Sequence, residues 1–193
     1  MAVAVVGALS EFGTAIARSF ADRGAALALA DRDAEPLAIL ARSLEDEGAR
    51  ALALPTDVGD ERQARALVEH AYEHLGRLDV LVDAAALQVG RPLEAGDTEA
   101  WRALLRVNVL GALYCAHAAL PVMRAQRSGH LVYVVGRGSG AVDELARAAV
   151  AGFAAALRDE VASVGIAVSL VEAGAGAAEA VLEAVEAGAP AGG

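Results

Sequence analysis

The stretch Val3-Ala4-Val5-Val6-Gly7-Ala8-Leu9-Ser10-Glu11-Phe12-Gly13-Thr14-Ala15-Ile16-Ala17 constrains the chain most. It opens as a β-branched apolar run, the pattern of a buried strand. It turns at Gly7 and continues as an alanine-rich helix with Ile16, Phe20 and Ala21 at helical spacing. Strand, glycine turn and helix form the first half of a βαβ unit. Gly7 lets the chain turn, the later Gly13 allows close helix–strand packing, and the helix N-terminus offers free N–H groups to a pyrophosphate. Glu11, inside this turn, either repels such a ligand or caps the helix N-terminus as a built-in anion. An ordinary strand–turn–helix without a ligand has the same local pattern.

Several function classes fall away on composition. The net charge of −10 argues against a nucleic-acid or anionic-membrane partner. One cysteine, Cys115, leaves no internal disulfide and fits a reducing, cytoplasmic compartment. All 16 basic residues are arginines, so the chain has no lysine. The N-terminus lacks the basic region of a signal peptide. Residues 107–123 are the most membrane-like run, but Asn108, His117 and Pro121 interrupt them. No metal site is expected.

Strands and helices then alternate. A helix over 15–23 ends at Gly24, and a strand over 25–30 stops at Asp31. A carboxylate there suits a ribose 2′-OH and repels a 2′-phosphate, favouring NAD over NADP, although Arg32 follows directly. Asp31 also has a bland reading, as a turn cap in Asp31-Arg32-Asp33. Pro36 starts a helix running to Glu47. A strand over 51–55 leads into Thr56-Asp57-Val58, Asp60 caps a helix to Leu75, and strand four covers 78–82. After the loop 90–96, Asp97 or Thr98 caps a long helix over 99–126, with a kink expected before Pro121. Strand 131–135, helix 143–164, strand 166–171 and helix 177–187 complete the alternation; 188–193 reads as a frayed tail. The pattern gives an α/β fold, a parallel sheet covered on both faces, in one domain over 1–187.

The wide glycine spacing resembles the T-G-x-x-x-G-x-G turn of the short-chain dehydrogenase/reductase family, with Val6 for threonine and Glu11 for the middle glycine. Asp83-Ala84-Ala85-Ala86 stands where that family has Asn-Asn-Ala-Gly. Val107-Asn108-Val109-Leu110-Gly111 is similar to its helix-asparagine segment, and Ala148-Ala149-Val150-Ala151-Gly152-Phe153 to its catalytic helix. The resemblance covers nearly the whole chain. It implies a doubly wound Rossmann fold in three layers, here truncated, with cofactor contacts at Gly7, Ser10, Glu11, Phe12, Gly13, Asp31, Asp57, Val58, Ala84 and Ala85.

It also implies where catalysis resides: a serine after strand five, a tyrosine on the next helix, a lysine one turn later, and Asn108 in the proton relay. Those places fall on Gly136 (nearest hydroxyl Ser139), Asp143 and Arg147. Arginine does not lose its proton and does not replace lysine. Asp143 and Arg147 stand four apart, the spacing of a solvated helix ion pair that would lower the aspartate's pKa. Tyr133, on strand five, has no direction fixed by alternation alone. The resemblance therefore implies a catalytically degenerate member, structural or regulatory in role and the inactive partner of an active relative, with weak or absent NAD binding. The alternatives are an NAD-dependent oxidoreductase with non-standard acid–base residues, and a nucleotide-responsive sensor. A homodimer or tetramer through helices 99–126 and 143–164, or a hetero-oligomer with an active relative, is the expected assembly.

Overall fold

The computed structural model describes residues 1–188; 189–193, most of the expected tail, lie outside the described residues. Six parallel strands form one sheet in the order β3-β2-β1-β4-β5-β6. They are β1 (Ala2–Val6), β2 (Ala26–Asp31), β3 (Arg50–Pro55), β4 (Val80–Asp83), β5 (Gly129–Val135) and β6 (Ile166–Glu172). β1 lies between β2 and β4 and is buried along its whole length. A central strand of a sheet covered on both sides has no polar face to show, hence the unbroken apolar run.

The helices divide between the two faces. Ile16 and Phe20 of α1 (Glu11–Ala21), Leu37 and Leu44 of α2 (Ala34–Asp46) and Val181 of α7 (Ala177–Gly188) meet Val3 and Val5. Leu67 of α3 (Glu61–Leu75), Cys115 and Met123 of α5 (Gly111–Gln126), and Val150 and Leu157 of α6 (Ala141–Val161) meet Ala4 and Val6. Alternate residues of one strand thus feed two separate cores.

Element ends differ from the sequence reading where capping decides them. α1 starts at Glu11 rather than 15, because the Ser10 hydroxyl accepts from the Gly13 amide at 3.0 Å. β2 extends to Asp31, held by pairing with Pro55. Asp60 caps α3 through the Arg62 and Gln63 amides, and Gly76 ends it at φ +78°, as its sequence pattern implied.

The long helix is interrupted at Asn108, not before Pro121. α4 (Thr98–Leu105), capped by Asp97, passes through one π-type turn at Arg106–Leu110 into α5. Pro121 sits inside α5 with His117, its i−4 neighbour, and both are exposed, so the carbonyl that proline leaves unpaired faces solvent. The segment Thr98–Gln126 is long and apolar enough to cross a membrane. Here it covers the sheet through Leu104, Cys115, Ala119 and Met123, all fully buried.

Candidate active-site clefts

Parallel strands place their C-terminal ends along one rim, and the strand order reverses between β1 and β4. Two clefts open there, of about 510 and 480 Å³ including space open to solvent. They share the floor Ala85-Ala86-Leu87 and form two halves of one trough.

The half over β1–β3 gathers Gly7, Ser10, Asp31, Asp57, Val58 and Ala84, expected cofactor contacts from widely separated positions. Gly7 has φ +73°, and a Cβ on it would lie 2.6 Å from the Ala85 nitrogen, so the turn rests directly on the 84–85 peptide. Asp31 faces the cleft but is engaged: its Oδ2 accepts from the Leu9 amide at 3.0 Å and its Oδ1 from the Arg32 amide at 2.8 Å. Asp57 accepts from the Gly59 amide and from the Arg106 guanidinium, each at 3.0 Å.

Three expected contacts do not line this half. Phe12 packs on the apolar core. Gly13 is buried where a Cβ would collide with the Gly7 carbonyl. Glu11 is exposed in the first turn of α1. The Leu9 and Ser10 amides are bonded within the protein, to Asp31 and to the Gly7 carbonyl. The Ser10 cap takes Gly13, which leaves the Glu11 and Phe12 amides at this helix end for a ligand.

The half over β4–β5 is lined by Asp83, Asn108, Tyr133, Gly136, Asp143 and Arg147. Ser139 lies outside the lining, against Gly90. The expected Asp143–Arg147 pair does not form. Asp143 is buried, and its two carboxylate oxygens accept from the Val89 and Gly90 amides at 2.8 and 3.0 Å. Arg147 pairs instead with Glu144 at 2.7 Å, which holds the guanidinium above its ordinary pKa and the Glu144 carboxyl below the usual carboxylate range. Glu144 also accepts from the Gly138 amide, and sequence reasoning missed it. Its i,i+3 spacing to Arg147 was a competing signal of equal strength.

Asn108 faces the same loop. Its Oδ1 accepts from the Leu87 amide at 2.7 Å and its Nδ2 donates to the Leu87 carbonyl at 2.8 Å. Residues 87–90 are therefore pinned at both ends, by Asn108 in the π-type turn and by Asp143 in the first turn of α6.

Beneath the trough lies a polar pair that the sequence reading did not connect. Asp83 and Tyr133 are register partners on β4 and β5, and both are buried. Asp83 accepts from the Ala85 amide at 3.1 Å, and among the described residues no cation pairs with it. Burial pushes its carboxyl up to about 7. Among the described residues the Tyr133 hydroxyl has no hydrogen-bond partner. Burial first, and the neighbouring Asp83 second, push it above the usual phenol range. Tyr133 shares a face with Leu131 and Val135, and its ring meets Phe153 edge-on at 5.8 Å.

On the outer side of α5 and α6, a shallow groove runs past Leu113, Tyr114, Leu120, Phe153 and Leu157. Of the apolar residues on helices 99–126 and 143–164, the expected interface, Leu104 is fully buried in the chain itself, and Leu120 and Val122 pack on the core. Leu113 and Ala149 are half-buried, while Ala148 and Gly152 are exposed.

Residues 1–187 match the family model described as short chain dehydrogenase. The cis-4-hydroxycyclohexanecarboxylate dehydrogenase of Sinomonas cyclohexanicum is 38% identical over 177 residues, 88% of this chain and 71% of the relative. An uncharacterized oxidoreductase of Staphylococcus saprophyticus is 33% identical over 88% of this chain and 76% of its own. Among solved structures, a metagenomic short-chain oxidoreductase in complex with NADP is similar at TM-score 0.89 and 27% identity, covering 97% of this chain and 92% of that one. A Burkholderia phymatum family member in complex with NAD has TM-score 0.84 and 27% identity, over 88% of this chain and 64% of its own. With the fold, the trough at the strand switch and the match over almost its full length, the chain belongs to the short-chain dehydrogenase/reductase family of NAD(P)-binding oxidoreductases.

Proposed function

We propose that this chain is a non-catalytic member of its family, acting as a structural or regulatory subunit beside an active relative. One observation carries the reading. Asn108 and Asp143, at the family's proton-relay and tyrosine positions, both hold the 87–90 backbone. A carboxylate accepting two backbone amides is engaged in structure and is poorly placed to trade protons with a substrate. Gly136 has no side chain to hold a substrate oxygen, and Arg147 is tied to Glu144. Purified protein with NADH or NADPH and a panel of ketones and aldehydes is expected to match a no-protein blank. Carbonyl-dependent oxidation that survives repurification would refute the proposal.

The trough fits the adenosine half of a dinucleotide, through Asp31, Val58 and Ala84 around an apolar floor. A nicotinamide dinucleotide supplies a hydride when bound; the residues that would orient its reacting end are absent here. At the diphosphate end, Glu11 adds an exposed negative charge to the first turn of α1, which weakens binding by like-charge repulsion. NAD is preferred over NADP because Asp31 faces the ribose side, although one solved relative carries NADP. In this reading the protein is cytoplasmic and forms a homodimer or tetramer, or a hetero-oligomer with an active relative. The α5–α6 groove is the contact.

A second reading, an NAD-dependent oxidoreductase with unusual acid–base residues, rests on Asp83 and Tyr133 in the substrate half of the trough. Loss of any observed turnover in Tyr133→Phe would support it over the first.

A further inference from the structure

Asp83 lines the β4–β5 cleft and directly precedes Ala84 and Ala85, which line the Gly7 cleft. Its register partner on β1 is Val6, next to Gly7. The Gly7 turn rests on the peptide joining Ala84 to Ala85, the residues that follow Asp83. Adjacent strands lie about 4.8 Å apart, so a diphosphate seated on the Gly7 turn comes within roughly 10 Å of the Asp83 carboxyl.

The surroundings offer that carboxyl no compensation. β1 is wholly apolar. β5 presents the Tyr133 phenol, and α5 presents the Cys115 thiol, itself pushed up by burial and by Asp83. From α6, Asp143 is bound to the loop amides and Arg147 to Glu144. Among the described residues, the one hydrogen bond to Asp83 comes from the Ala85 amide at 3.1 Å.

We propose that binding of a diphosphate-bearing nucleotide in the Gly7 cleft is coupled to uptake of one proton by Asp83. The inference rests on the reading above that this cleft takes a dinucleotide. The ionised carboxyl and the ligand's two negative charges repel each other through a partly dry floor, and protonation removes the repulsion. The carboxyl titrates near neutrality without ligand, so the linkage operates in the physiological range. With an effective dielectric near 20, repulsion from two charges at that separation weakens binding on the order of a hundredfold. No histidine lines either cleft.

The test is calorimetry with NAD and with ADP-ribose, whose diphosphates stay fully ionised between about pH 6 and pH 8.5. Measurements at about pH 7.5 in two buffers of different ionisation enthalpy report protons taken up. Wild type is expected to take up a large fraction of one proton per nucleotide, and its Kd to rise on the order of thirtyfold from pH 6 to 8.5. Asp83→Asn is expected to take up none and to bind equally at both pH values. A 13C NMR titration of the wild-type aspartate side chains, with and without NAD, reads the same shift without a variant. Binding without proton uptake, or equal uptake in Asp83→Asn, overturns the linkage alone. No binding at any pH overturns the dinucleotide reading and the linkage with it.

Discussion

Replacing Asp83 by asparagine should stabilise the protein increasingly as pH rises above about 4, and most at neutral and alkaline pH. An aspartate titrates near 4 in an unfolded chain. In the fold, burial without a cation moves Asp83 to about 7. Below about pH 4 the group is protonated in both states and contributes nothing. Between about 4 and 7 the unfolded chain ionises first, so unfolding gains free energy and stability falls as pH rises. Above about 7 the whole penalty is present, on the order of 4 kcal/mol. Asparagine keeps an acceptor for the Ala85 amide and carries no charge. Urea unfolding followed by the fluorescence of Trp101, the single tryptophan, reads the difference. The variant should exceed wild type by on the order of 4 kcal/mol at about pH 8, and match it within about 1 kcal/mol at about pH 4.5. The wild-type profile alone would mislead. Burial holds His130 down to about 4, so its neutral-state stabilisation is lost as pH falls from about 6.5 toward 4, opposite in sign to Asp83. The variant-minus-wild-type difference removes that background. An offset independent of pH, or a variant less stable at pH 8, would refute the reasoning.

Three further outcomes follow from the geometry. Gly7→Ala should lose on the order of 3 kcal/mol in urea unfolding, since it combines positive φ with a Cβ 2.6 Å from the Ala85 nitrogen; a loss under about 1 kcal/mol would contradict the close approach. Glu11→Gly should bind NAD several-fold more tightly by calorimetry, as a charge beside the diphosphate is removed; unchanged affinity would remove the electrostatic account. Leu113→Glu on the α5–α6 groove should convert a dimer to monomer in light scattering, and a monomeric wild type at micromolar concentration would end the dimer reading.

The sheet was legible in the sequence because burial on both faces leaves an unmistakable signal. Val3–Val6 and Leu131–Val135 are hydrophobic at every position, and α3 carries a cap at each end, Asp60 and Gly76. The gathering of Gly7, Asp31 and Asp57 in one cleft was legible too, because they sit at strand ends and parallel topology brings strand ends together. The partners of Asp143 were not. Helical spacing offered Arg147, but the side chain turns inward to amides 54 and 53 residues away. No local pattern reports a loop folded back over a helix start. The same limit hid Asp83 and Tyr133, whose pairing depends on β4–β5 register. The interruption was expected at Pro121, the stronger local breaker, but Pro121 lies exposed within α5 and the π-type turn falls where Asn108 bonds Leu87.

Amide hydrogen exchange at Leu87, Val89 and Gly90 tests the central claim most directly, that Asn108 and Asp143 serve as anchors rather than as proton carriers. The account predicts slow exchange at all three amides in wild type, with and without NAD. In Asp143→Ala, protection should be lost at Val89 and Gly90 and kept at Leu87, which Asn108 holds. Exchange at unprotected rates in wild type, or release of the Val89 and Gly90 amides when NAD and a carbonyl compound are added together, would contradict it.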